Sequence, residues 1–103
     1  GADAATQREF LATYLDSARR HVEGLRAAHA AGDVPQAGAI AHKLKSSSRS
    51  VGALALGDLC ARLEDASRAQ NAAEIAQAMA QLEAAFSAVE AKIISFTGVA
   101  GST

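Results

Sequence analysis

Residues 71–97 read NAAEIAQAMAQLEAAFSAVEAKIISFT, and their apolar positions decide the fold class. Ile75, Met79 (with Ala78), Leu82, Phe86, Val89, Ile93 and Phe96 recur at alternating spacings of four and three residues. That alternation is the a/d repeat of a helix packed into a bundle seam. Asn71, followed three residues later by Glu74, resembles a capping box, with a side-chain oxygen for a first-turn amide and a carboxylate reaching back. The stretch predicts a long helix opening at Asn71.

Upstream, Leu56, Leu59, Cys60, Leu63 and Ala66 define a third helix ending near Ala69, with Leu54 expected to pack beneath it from the connection. A second helix is predicted from Asp33 to Val51. Asp33 is a good N-cap, and Pro35 is tolerated in the first turn because its missing amide is not needed there. Its apolar stripe is Ala37, Ile40, Ala41, Leu44 and Val51. The first helix carries Leu11, Leu15, Ala18, Val22 and Leu25, with Phe10 and Tyr14 beside them. Thr6 and Glu9 form its capping box, and Gly32, after Ala30, suits the left-handed position that ends it. It reads as one helix of roughly 35 Å, or as a short and a longer helix separated by a kink. The expected organisation is a flexible start over 1–5, a domain over 6–97 and a flexible tail over 98–103. Four amphipathic helices, short turns and no strand signal make this an all-α protein, an antiparallel up-down four-helix bundle.

Bulk composition agrees. The 103 residues suffice for one domain with a modest core. Hydrophobic residues reach 50%, much of it alanine, while aromatics are 4%, which suits close-packed helices better than sheets. A net charge of −1 supplies no basic face for nucleic acid. No run of 18 apolar residues spans a membrane, and no N-terminal signal pattern is visible. The single cysteine, Cys60, excludes an intrachain disulfide and the usual multi-cysteine zinc site.

Chemistry concentrates in Ala41-His42-Lys43-Leu44-Lys45-Ser46-Ser47-Ser48. His42 lies two residues from both Ile40 and Leu44, about 200° from either at roughly 100° per residue, so it faces solvent. Lys45 and Ser46 follow at i+3 and i+4, and Gly38 precedes at i−4, all on its face. An exposed imidazole, a cation one turn on and no side chain one turn back make an accessible nucleophile beside an anion-stabilising charge.

These residues, with Val51-Gly52-Ala53 and Leu59-Cys60-Ala61-Arg62-Leu63-Glu64, resemble the histidine-containing phosphotransfer (HPt) domain of two-component phosphorelays. The family pattern is roughly A-H-x-L-K-G-S-S, then G-A, then L-C-x-x-L-E. Ser46 stands where the family usually has glycine. The resemblance implies that His42 accepts a phosphoryl group from a receiver-domain phospho-aspartate and passes it to another receiver. Lys45 would stabilise the phosphoryl oxygens, Ser46 would add a hydrogen bond, and Gly38, Ala39 and Arg49 would meet the partner. It implies no cofactor of the chain's own, since Mg2+ and the acidic cluster come from the partner receiver. It implies a carrier that is not an enzyme, and no ATP-binding motif is present. The implied partners are response-regulator receivers and a sensor histidine kinase of the hybrid type, in the same polypeptide or a separate one. The implied setting is a cytoplasmic monomer, free-standing or at the cytosolic end of a membrane-bound kinase.

The remaining candidates read as structural. Ser47 and Ser48 fall on or beside the core side of their helix, where a hydroxyl can bond a preceding carbonyl. Cys60 and Met79 are core residues. His21 and His29 lie on the first helix, and a three-histidine metal site would need His42 to turn inward. Arg19, Arg20 and Arg26 are expected to be solvated. Two rival functions are a degenerate HPt-like docking module that is never phosphorylated, motivated by Ser46, and a purely structural or dimerising bundle.

Overall fold

Two caps expected from the sequence, Asp33 and Asn71, open helices. In the computed structural model, which describes residues 2–98 and side chains from Asp3 onward, the chain forms four helices. They are α1 (Ala2–Ala30), α2 (Val34–Ser50), α3 (Leu54–Arg68) and α4 (Ala72–Thr97). No strand occurs among the described residues. The Asp33 carboxylate accepts from the Gln36 amide at 3.2 Å to open α2. The Asn71 side chain accepts from the Glu74 amide at 3.1 Å to open α4. Each side chain satisfies one amide that the helix leaves unpaired.

α1, α2 and α3 end alike. Asp33 N–H donates to the Ala28 carbonyl, Ala53 N–H to Ser48, and Asn71 N–H to Ala66, at 2.9–3.0 Å. These are the long bonds of Schellman motifs, which place the intervening residue in the left-handed region. Gly32 and Gly52 occupy it at φ 68° and 82°, but after α3 the position is held by Gln70 at φ 53°.

Every helix packs on two neighbours, α1 on α2 and α4, and α3 on α2 and α4. The ring encloses one core in which Leu15, Val22, Leu25, Leu44, Leu56, Leu63 and Leu82 are fully buried. Ser48 is also fully buried, because its Oγ pairs with the Tyr14 hydroxyl at 2.7 Å across the α1–α2 seam. A polar group can sit there only with such a partner. Arg19 meets Glu90 and Arg26 meets Glu83, each at 2.7 Å, which registers α1 antiparallel to α4. Arg19 is thus a half-buried cross-helix partner, whereas Arg26 stays exposed while pairing with Glu83, and Arg20 pairs locally with Asp16 in solvent.

Several sequence expectations are corrected. α1 begins at Ala2, so Thr6 lies inside the helix and is not its cap, and α1 runs as one helix of 29 residues. Leu54 starts α3 and is 62% exposed, because α3 begins two residues earlier than its stripe and turns that residue outward. Phe10, near the start of α1, and Phe96, near the end of α4, are 56% and 53% exposed. Ile40, Val51 and Leu59 are half-buried at the core's edge. Of the expected tail, Gly98 caps α4 at φ 73°, and 99–103 lie outside the described residues. No helix is long and apolar enough to cross a membrane among the described residues.

Gln70 is the one non-glycine residue at positive φ among those described. A side chain there costs about 1 kcal/mol relative to glycine. Gln70→Gly is therefore expected to raise Tm by about 4–8 °C, read by thermal unfolding in circular dichroism.

Candidate functional site

His42 sits midway along α2 on the flank facing α3, and its side chain is 62% exposed. Two close approaches bring α3 beneath it. Toward the start of α2, a Cβ on Gly38 would lie 3.3 Å from the Ser67 Cβ. Toward its end, a Cβ on Gly57 would lie 2.7 Å from the Arg49 Cγ, so the Arg49 stem crosses α3 where that helix has no side chain. Between these points α3 presents Glu64, with only 14% of its side chain exposed.

The Glu64 carboxylate gathers the site. His42 Nδ1 is 3.0 Å from Oε2, the Lys45 ammonium is 2.5 Å from Oε1, and Arg68 lies at 3.7 Å from Oε2. Lys45 above all, and His42 after it, hold the Glu64 carboxyl below the usual carboxylate range, against the opposing effect of its desolvation. An ionised carboxylate only accepts, so His42 must donate from Nδ1. The neutral ring then carries its lone pair on Nε2. Helical side chains lean toward the preceding turn, which places the ring above Gly38 with its outer edge open.

The other candidates are distributed around this pair. Ser46 is exposed, and its hydroxyl donates to the His42 carbonyl at 3.3 Å, one turn back along the same helix. Any hydrogen bond from Ser46 to a phosphoryl group has to replace that one. The space at Gly38 is taken by Ser67, so its missing side chain serves the α2–α3 approach. Ala39 is exposed on the neighbouring surface, and Arg49 pairs with Asp58 at 3.3 Å on the rim. Ser47 donates to the Leu44 carbonyl and is structural.

Cys60 is wholly buried one turn before Glu64, and burial pushes its thiol up to about 12, so it stays protonated. His21 is half-buried on α1; burial first, then Lys43 and Arg20, hold it below the ordinary histidine value, which keeps it neutral.

Glu64 is the residue of this cluster that residue-by-residue reading missed. Its signal was present, since it ends the Leu59–Glu64 motif, but its role depends on the register between two helices. In composition and geometry the site is a solvent-facing imidazole with one nitrogen tied to a carboxylate and a lysine ammonium on that same carboxylate. Such a site can present an oriented nucleophile to an electrophile carried by another molecule.

The family model of the Hpt domain matches residues 9–92. No curated protein and no solved structure matches the chain.

Because its folded value is depressed, the Glu64 carboxyl stabilises the fold above its unfolded value near pH 4.5, and that contribution is lost as pH falls through the folded value. Glu64→Gln is expected to lower Tm at pH 7, with the gap to the parent closing as pH falls through the depressed folded value of the Glu64 carboxyl. Thermal melts across a pH series measure this, and a gap independent of pH would contradict the assignment.

Proposed function

The chain belongs to the histidine-containing phosphotransfer family, whose members carry phosphoryl groups in two-component signalling and meet response-regulator receiver domains; from that premise we propose that it is a phosphorelay intermediate with His42 as the covalent carrier. In this reading His42 takes the phosphoryl group from one receiver's phospho-aspartate and yields it to the aspartate of another. The observation that carries it is the exposed His42 ring with Nδ1 held by Glu64.

The chemistry follows from that arrangement. The Nε2 lone pair attacks phosphorus, and the acyl phosphate's P–O bond breaks with its electron pair leaving on the donor carboxylate. The proton stays on Nδ1, where Glu64 offsets the positive charge that the ring gains. Reversal toward a second receiver needs no other group from this chain. Phosphoryl transfer depends chiefly on positioning and charge, so Lys45 is the natural contact for phosphoryl oxygens. Its ammonium is one turn from His42 and already held at the site by Glu64. Ser46 would add a hydrogen bond by turning from the His42 carbonyl. Mg2+ and the acidic cluster would come from the receiver. Gly38, Ala39 and Arg49 form part of the docking face. A sensor histidine kinase, in the same or a separate polypeptide, would feed the relay in the cytoplasm.

The test compares the parent protein with His42→Gln after incubation with a phosphorylated receiver, read by intact mass. The parent should gain one phosphoryl group and the variant none, with the two melting within a few degrees because the position is exposed. No gain in the parent across several receivers would leave a docking module that binds without being phosphorylated.

A further inference from the structure

A second surface lies at the end of the bundle where α1 starts and α4 stops, beyond the docking face on the α2–α3 flank. Arg19 faces Glu90 and Arg26 faces Glu83, and the same offset places Leu11 opposite Gly98, where α4 ends. Tyr14 faces Ser48, so α2 also ends near this level. Residues 2–10 of α1 therefore overhang the bundle by roughly 13 Å, and among the described residues no helix lies across them. Phe10, at the root of the overhang, is exposed. A projecting helical segment of this length has little stability of its own in water and gains it by packing.

At the root of the overhang opens an apolar groove of about 760 Å³, lined chiefly by Leu11, Val51, Leu54, Val89, Ile93 and Phe96. Leu54 and Phe96, the other two large apolar side chains that stand exposed, flank it. Lys92 contributes the positive charge on its wall, whereas Asp3 and Glu9 outnumber Arg8 on the overhang. Occupant and receptor thus sit side by side on one chain, with opposite charge and exposed apolar surface on each. This is the requirement for an isologous pair, in which one two-fold axis buries both features twice.

We infer that two copies of this chain associate reversibly through this end, the α1 overhang of each copy seating Phe10 in the groove of the other. The sequence led to the expectation of a monomer, and the two-fold pairing departs from it at high concentration. Val51 lies nine residues beyond His42 on α2, roughly 13 Å along the helix, so both imidazoles stay open in the pair. The inference rests on this surface and not on the phosphotransfer reading.

Sedimentation equilibrium of the 103-residue chain between tens of micromolar and about 1 mM tests it. The weight-average mass should climb from one copy toward two. Phe10→Asp and Leu54→Asp, both at exposed positions, should each hold it at one copy while leaving the helical circular dichroism and the phosphotransfer of His42 unchanged. A parent mass that stays at one copy overturns the inference, and so does a dimer that survives either substitution.

Discussion

The close approach of α2 and α3 is the constraint on which the surface chemistry depends. Gly38 against Ser67 and Gly57 against the stem of Arg49 let the two shortest helices pack nearly backbone to side-chain stem. With both contacts made, Glu64 comes to lie beneath His42 and beside Lys45. A shift of one residue along α3 would turn that carboxylate about 100° away, and the imidazole would lose its partner. The buried Tyr14–Ser48 pair performs a similar service on the α1 side of α2, giving that helix a fixed rotation about its axis. A surface site is thereby oriented from the core outward.

That orientation explains how a single carboxylate serves two purposes. Glu64 selects which imidazole nitrogen keeps the proton, and it keeps the Lys45 ammonium within a turn of the imidazole. Neither role demands a buried pocket. A carrier whose donor and acceptor lie in other proteins needs its nucleophile outside, and the bundle supplies an open face with pre-positioned charge. In the proposed relay, docking on that face would be modest and brief.

Much of this was legible in the sequence, for physical reasons. Helix number and type came from local signals: the a/d stripe of α4, the caps Asp33 and Asn71, and the Gly32 terminator each act within a few residues. The outward direction of His42 followed from phase alone. What escaped notice depends on contacts between distant residues. The Glu64 partnership needs the α2–α3 register, the pairing of Arg19 and Arg26 with α4 carboxylates needs the α1–α4 register, and Gly38 reads as clearance until Ser67 is seen opposite it. Apolar periodicity also misleads at the end of α4, where Phe96 keeps the stripe but stays exposed, and Phe10 and Leu54, beside or before their stripes, are exposed as well.

The central claim is that Glu64 holds the proton on Nδ1 and leaves Nε2 of His42 as the nucleophile. Long-range 1H–15N NMR of the protein before and after phosphorylation by a receiver tests it directly. The account predicts a ring protonated at Nδ1 in the free protein and a phosphoryl group on Nε2 afterwards. A proton resting on Nε2, or a phosphoryl group attached at Nδ1, would contradict it.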